Sequence, residues 1–165
     1  MTEIHLIDLQ EQPVVGRRQQ IRMDQIAEIF ETTLNDVLQA IRAAGATTAG
    51  APYARYFGKP AETADVEVGF PVTEPFTATG DLVVSVLPAA RAAEAIHRGP
   101  YDRLVETYRE MELWAQEHKV VLLEEAWEIY EAGPESDPDP ATWRTRILYP
   151  VSPPQVEQGE GGTDT

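Results

Sequence analysis

Two stretches of the chain match each other in order and in detail, and this restricts the fold more than any other feature. Each stretch holds two strand patterns, a long helix pattern and two further strand patterns. At an offset of 74 positions, residues 53–56 pair with residues 127–130. After a five-residue insertion, residues 67–72 pair with residues 146–151, and both end in an aromatic residue followed by Pro-Val. Two copies of so long a unit are not a solenoid, and they predict a duplicated α+β domain with a pseudo-two-fold axis.

Helical periodicity is clear in two segments. Apolar residues recur at spacings of three and four over residues 26–41, with Asp24 placed as an N-cap and Gly45 as a C-cap. The same spacing runs over residues 101–118. Residues 89–97 are ambiguous, because alanine favours a helix but the segment is short and ends at Gly-Pro. Alternation predicts strands at residues 3–9, 14–21, 52–56, 65–70, 82–87, 127–130 and 144–149.

The length of 165 residues fits one domain. We expect a single domain over residues 1–151, with repeats at about 1–73 and 77–151. Residues 152–165 are rich in Pro, Gly, Gln and acids, which predicts a disordered acidic tail. The first residues carry neither a basic segment nor a long apolar run, and no stretch approaches the roughly 20 apolar residues of a membrane span. The sequence therefore predicts a soluble, cytoplasmic protein that does not contact a membrane.

The charge balance narrows the classes of partner. Lys and Arg number 13 against 28 Asp and Glu, for a net charge of −15. Such a field repels phosphate backbones and attracts cations, so we expect no direct DNA binding. The chain has no cysteine, which excludes a disulfide scaffold, thiolate metal sites and cysteine catalysis.

Candidate binding residues follow from the alternation of side chains along the predicted strands. Glu128 and Tyr130 share one face of their strand, and Tyr56 is equivalent to Tyr130 in the first repeat. Trp127 and Ile129 share the other face, which we expect to pack on the helices. If the repeats meet about a two-fold axis, one groove would hold the five candidates, which are Tyr56, Tyr130, Glu67, Glu128 and Arg146.

The chemistry of this set leaves alternatives open. Aromatic faces with a carboxylate suit a cation, and a buried carboxylate can also act as an acid or base. Arg146 argues against a cation site, because it could pair with Glu67 or Glu128 and neutralise the acid. The two glutamates could also simply face water. Tyr101, fixed after Gly99-Pro100 at a helix start, is either a cap residue or a wall of the pocket.

The sequence predicts neither a metal site nor a cofactor. His5, His97 and His118 lie far apart and have no partner at zinc-ligand spacing. No phosphate-binding glycine pattern and no nucleophile elbow is present.

Several motifs occur in a fixed order along the chain. They are the segments 97–101 (His-Arg-Gly-Pro-Tyr), 127–130 (Trp-Glu-Ile-Tyr) and 149–151 (Tyr-Pro-Val), with 50–56 and 65–72 in the first repeat. This ordered set resembles that of the GyrI-like family, the effector-binding domain of multidrug-responsive bacterial regulators of the MerR and AraC types. The resemblance covers about residues 3–151.

This resemblance implies two SH2-like β-α-β-β repeats with about eight strands and two long helices. It also implies a central aromatic and acidic cavity for amphipathic, often cationic, molecules. Glu128 matches the family's pocket glutamate, whereas a second family acid falls at position 146, where this chain has Arg146. That departure makes neutral or anionic ligands plausible as well. Since the chain starts at its first strand, we expect a stand-alone member without a helix-turn-helix domain.

Three functions fit these observations. The first is a binding protein for amphipathic aromatic molecules, cationic ones among them, which senses or sequesters drugs or toxins. The second is a cofactor-free hydrolase of cyclopropane-containing toxins, with Glu128 as the catalytic residue. The third is an acidic protein-interaction module, such as a modulator of gyrase. Turnover separates the first two, because a hydrolase returns its ligand with one water added.

Overall fold

A computed structural model describes residues 3–77, 80–133 and 137–152, and there the chain forms one eight-stranded antiparallel sheet with two α-helices. The predicted α+β class is confirmed. The elements, in chain order, are β1 (Ile4–Leu9), β2 (Gln12–Arg22), α1 (Ile26–Ala43), β3 (Tyr53–Phe57), β4 (Thr63–Pro71), β5 (Val83–Leu87), β6 (Ala90–Arg98), α2 (Leu104–Glu117), β7 (Glu125–Ala132) and β8 (Arg144–Pro150).

The order of the strands across the sheet is symmetric. It runs β1-β6-β8-β7-β3-β4-β2-β5. Read outward from the β3–β7 pair, each side continues with the fourth and second strands of its own half and ends in the first strand of the other half. The two halves are thus joined at the centre by β3 and β7 and at both edges by an exchanged strand.

The centre of symmetry can be placed on a single residue pair. Residues 54 and 128 are equivalent at the offset of 74, and β3 and β7 pair with Ala54 directly opposite Glu128. Equivalent residues can face each other in an antiparallel pair only where the pseudo-two-fold axis passes between them. Glu128 therefore lies at the axis, where the first repeat has only a methyl group.

The helix ends repeat with the same offset. After α1, Gly45 has a φ of 73°, and Ala46 N donates to Ile41 O at 3.0 Å. After α2, Lys119 has a φ of 57°, and Val120 N donates to Ala115 O at 2.8 Å. Both are Schellman ends with a left-handed residue, which confirms the position predicted for Gly45.

Two local predictions need correction. Asp24 does not cap α1, since it lies within a 3-10 turn that precedes the helix, and its carboxylate pairs with Arg22. The ambiguous segment 89–97 is largely strand β6, because it pairs with β1 on one side and β8 on the other. Tertiary pairing there overrides the helix preference of its alanines.

Both helices cover the same face of the sheet, which we call the helix face. α1 packs there on Ala54, Val66 and Val68, and α2 packs beside it on Ala93 and Ile147. Within the described parts of the chain, neither helix is apolar and long enough to cross a membrane.

The other side of the sheet, which we call the inner face, has a core of its own because the sheet curls. Its buried residues are Val14, Tyr53, Leu87, Trp127 and Leu148, with Ile129 packed against them. The prediction that Trp127 and Ile129 face the helices is therefore wrong. Since both faces are buried, hydrophobicity did not distinguish them.

The end of the chain is only partly described. Ser152 N donates to Val121 O at 2.8 Å. The rest of the predicted tail, residues 153–165, lies outside the described residues.

The close approach of β2 and β4 gives a test of the fold. A Cβ on Gly69 would lie 1.9 Å from Val15 O and 2.6 Å from Gly16 Cα. We expect Gly69→Ala to lower the free energy of unfolding by about 3 kcal/mol or more, because the strands must separate. Gly50→Ala, whose Cβ would meet only Pro71 Cγ at 3.7 Å, is the control. Urea unfolding checks both, and equal stability of the two variants would contradict the packing.

Candidate functional site

Glu128 lies at the centre of a polar cluster on the helix face. It is only 4% exposed, and both of its carboxylate oxygens accept a hydrogen bond. The Tyr108 hydroxyl, from α2, donates to Oε2 at 2.6 Å. The Tyr130 hydroxyl, from the same strand as Glu128, donates to Oε1 at 2.6 Å. The carboxylate is therefore held between a helix and the sheet by two neutral donors.

Tyr56 extends this cluster toward α1. Its side chain packs against the buried cluster that contains Tyr130 and Ala54. The Phe30 ring of α1 meets Tyr130 edge-on, with ring centroids 6.3 Å apart. The two equivalent tyrosines thus flank the single carboxylate at the axis.

Tyr101 closes the cluster from the start of the second helical segment. Its ring lies 5.7 Å from that of Tyr130 and 4.9 Å from that of Trp143, measured between centroids. Gly99, with a φ of 119°, donates its N–H to Trp143 O at 2.9 Å, which ties this turn to the start of β8. The Gly-Pro turn therefore positions an aromatic wall.

Burial sets the protonation of these groups. Burial raises the pKa of Glu128 above its ordinary value of 4.5, and the hydrogen bonds from Tyr108 and Tyr130 and the charge of His97 only partly oppose this. Burial and the charge of Glu128 also raise the pKa values of Tyr56, Tyr108 and Tyr130. The three tyrosines are thus neutral, and Glu128 is the ionisable group of the cluster.

Glu67 and Arg146 do not join this cluster, so the predicted groove of five residues is wrong in its geometry. β4 places Val66 and Val68 on the helix face and Glu67 on the inner face. β8 places Ile147 on the helix face and Arg146 on the inner face. The structure brings together only Tyr56, Tyr130 and Glu128 of that set, with Tyr101 beside them.

The two displaced residues have partners on the inner face. The buried Glu67 carboxylate accepts from the Tyr53 hydroxyl and, at 3.1 Å, from the Ser85 hydroxyl. Arg146 pairs with Glu94. Burial acts to raise the pKa of Glu94, but Arg146 and His5 outweigh it and hold that pKa below its ordinary value. Arg146 is therefore not the neutralising partner of Glu128.

Three contact residues of the cluster were not singled out from the sequence. Tyr108 counted there as one apolar position of a helix, and Phe30 likewise. Trp143 fell in the acidic loop before β8. Only Tyr108 carried a usable signal, because a tyrosine on the buried side of a helix needs a hydrogen-bond partner for its hydroxyl.

A cavity of about 710 Å³ opens beside the cluster but does not include it. Its lining includes His97, Pro100 and Thr107 together with acidic residues such as Glu94 and Glu110. Glu128 and its tyrosines do not line this cavity. In the parts of the chain that the structure describes, no group of three or more His, Asp or Glu side chains is arranged to hold a metal.

The raised pKa of Glu128 predicts a pH-dependent stability. The folded protein holds the proton of the Glu128 carboxyl more tightly than the unfolded chain does. The resulting stabilisation of the folded state is fully present below about pH 4.5, and it is lost as the pH rises through the pKa of Glu128 in the folded protein. The free energy of unfolding of the wild type should therefore fall relative to that of Glu128→Gln as the pH rises. The fall is about 1.4 kcal/mol for each unit of pKa shift.

Urea unfolding of both proteins between pH 4 and pH 8 measures this difference. Glu62→Gln, at an exposed position, is the matched control and should track the wild type at every pH. A constant difference between the wild type and Glu128→Gln across the range would show that the pKa of Glu128 is not raised.

Comparison with known proteins agrees with this architecture. Residues 2–152 match the model of the GyrI-like small molecule binding domain. No protein with a curated description gives a significant match.

Solved structures share the fold of this chain, among them two of EcmrR and one of SAV2435. The EcmrR C-terminal domain is 24% identical with a TM-score of 0.83, and the match covers 92% of this chain and 98% of that one. The EcmrR chain in a DNA complex is 25% identical with a TM-score of 0.82. The match covers 92% of this chain but only 57% of the length of the EcmrR chain. SAV2435 bound to tetraphenylphosphonium is 13% identical with a TM-score of 0.64, and the match covers 91% of this chain and 94% of SAV2435.

The match over nearly the whole chain confirms the family that the motifs indicated. The chain belongs to the GyrI-like family of small-molecule-binding domains.

Proposed function

We propose that this domain binds amphipathic aromatic molecules that carry a positive charge, with Glu128 as the anionic contact and Tyr56, Tyr101, Tyr108 and Tyr130 as the surrounding wall. One observation carries the proposal. Glu128 is buried, and among the described residues its hydrogen bonds come from neutral hydroxyls while no Lys or Arg pairs with it. Burial of this carboxylate is only partly offset by the two hydroxyls and the charge of His97, and a bound cation would stabilise the ionised form further.

The remaining capacity of the carboxylate allows such a ligand to bind. An ionised carboxylate offers about four acceptor positions, and two of them are used by Tyr108 and Tyr130. The carboxylate therefore keeps acceptor positions for a cation while both tyrosines remain bonded to it. The aromatic rings add apolar area and negative ring faces, which favour an aromatic cation over a small hydrated one.

The location of Arg146 supports a cation rather than an anion. Its pairing with Glu94 on the inner face leaves the charge of Glu128 uncompensated by this residue. The net charge of −15 would also raise the local concentration of cationic ligands around the domain. The biological role that fits these properties is sensing or sequestration of drugs or toxins.

A hydrolase is the second candidate, because the raised pKa of Glu128 also suits a general acid or base. Glu128 would take a proton from water as the water oxygen bonds to a carbon of a strained cyclopropane ring. The ring C–C bond would break, and the released electron pair would take up a proton. Mass spectrometry of a cyclopropane-containing model compound after incubation tests this candidate. A product heavier by one water, absent with Glu128→Gln, would favour the hydrolase.

Ligand titration tests the binding function. We expect isothermal titration calorimetry to show that the wild type binds tetraphenylphosphonium more tightly than its neutral analogue triphenylphosphine oxide. Glu128→Gln should weaken the binding of the cation by about tenfold or more, since it removes a buried charge contact of roughly 1.4 kcal/mol or more. The affinity for the neutral analogue should change little.

Arg146→Gln is the matched control, because it removes a charge on the inner face of the same sheet. It should bind tetraphenylphosphonium within about twofold of the wild type. Equal affinities of the wild type and Glu128→Gln for the cation would contradict the proposal. A loss of affinity in Arg146→Gln but not in Glu128→Gln would place the ligand on the other face.

A further inference from the structure

Thr145 is a buried polar residue in the wall of the candidate site, and its hydroxyl has no hydrogen-bond partner among the described residues. The residue is fully buried, at 0% exposure. β8 places it directly opposite Tyr130 of β7 on one side and opposite His97 of β6 on the other. His97, Thr145 and Tyr130 therefore form one row across the helix face.

No hydrogen bond joins the Thr145 hydroxyl to either neighbour in this row. His97 Nε2 lies 2.9 Å from Pro100 O, and His97 Nδ1 lies 2.8 Å from Thr107 Oγ1, so both ring nitrogens have partners. The Tyr130 hydroxyl gives its proton to Glu128. A buried hydroxyl left without a partner is unfavourable, and a polar group of a ligand would remove that cost.

Three aromatic residues belong to the part of the site in which Thr145 lies. Trp143 precedes Thr145 by two residues, and Tyr130 lies across from it on β7. The Tyr101 ring contacts both of these rings, at 4.9 Å from Trp143 and 5.7 Å from Tyr130. This part of the site thus combines aromatic rings, a residue type that attracts cations, with one buried oxygen that has no hydrogen-bond partner among the described residues.

The carboxylate of Glu128 is within reach of the same ligand group. Glu128 lies opposite Ile147, two residues along β8 from Thr145, so Glu128 and Thr145 are diagonal neighbours on adjacent strands. Such neighbours are separated by about 7–8 Å, a gap that one ammonium group between two side chains can bridge.

We propose that Thr145 determines which cations this site prefers. Its hydroxyl oxygen accepts a hydrogen bond from the N–H of a protonated amine, while Glu128 and the rings hold the positive charge. The site therefore prefers protonated amines over quaternary ammonium ions of the same shape, which have no N–H to donate. This inference rests on the proposed binding function and names the class of ligand for the same site.

A matched pair of probes tests the preference. The protonated amine is N,N-dimethyl-2-naphthylmethylamine, and its N-methylated form is the quaternary ion. We expect calorimetry at pH 7 to show the wild type binding the amine about tenfold more tightly, as for a hydrogen bond to a charged group. Thr145→Val should bring the two affinities within about twofold, whereas Thr145→Ser, which keeps the hydroxyl, should retain the preference.

The variants also report on folding. Thr145→Val has nearly the same shape and removes an unpaired hydroxyl, so its melting temperature should equal or exceed that of the wild type. Thr145→Ala also removes the hydroxyl and replaces the valine variant if that variant does not fold. It should likewise abolish the preference for the protonated amine over the quaternary ion.

Two results would overturn the inference, and they are distinguishable from failure of the proposed function. Equal affinity of the wild type for the two probes, or an unchanged ratio in Thr145→Val and Thr145→Ala, would reject a role for Thr145. The binding function would still stand if Glu128→Gln weakened both probes. If the wild type bound neither probe nor tetraphenylphosphonium, both proposals would fail together.

Discussion

The pairing of β3 with β7 determines the rest of the molecule. It is the central contact between the two halves, and its register places Ala54 opposite Glu128 on the pseudo-two-fold axis. A carboxylate at the equivalent positions of both repeats would put two like charges directly across the strands, which is destabilising. Alanine in one repeat avoids this repulsion. It also leaves a single acid at the centre, with the equivalent Tyr56 and Tyr130 on either side, and this asymmetry makes the centre a candidate binding site.

The charged side chains on the two faces of the sheet have different kinds of partner. On the inner face, Arg146 pairs with Glu94, and the Glu67 carboxylate accepts two hydroxyl hydrogen bonds that join β3, β4 and β5. The Glu67 hydrogen bonds are buried, and the partly exposed Arg146–Glu94 pair compensates its own charges. On the helix face, Glu128 has hydroxyl partners as well, but they come from α2 and from a ring cluster that also meets α1. The helix-face carboxylate is therefore the one whose charge is not compensated by a Lys or Arg among the described residues.

The sequence predicted the elements of this arrangement but not the register of the strands or the burial of both faces of the sheet. The duplication, both helices, the strands and the shared face of Glu128 and Tyr130 follow from periodicity and from the repeat. The sequence did not contain the register between strands, which places Glu67 beside Arg55 and Arg146 beside Ile129, both on the inner face. It also did not show that both faces are buried, so Trp127 and Ile129 were assigned to the wrong side. Thr145 gave no signal, because only the cross-strand row reveals that its neighbours are already hydrogen-bonded.

The hydroxyl partners of Glu128 determine how its protonation would respond to a bound cation under the proposed function. A cationic side chain in their place would hold the carboxylate ionised but would compete with any ligand cation. Neutral hydroxyls stabilise the charge only in part, since burial still raises the pKa of Glu128. The carboxylate can thus carry its proton while the site is unliganded and lose it when a cation binds, because an adjacent positive charge lowers the pKa of an acid. Binding of a cation is then coupled to release of a proton, and the affinity of the site for cations should increase with pH.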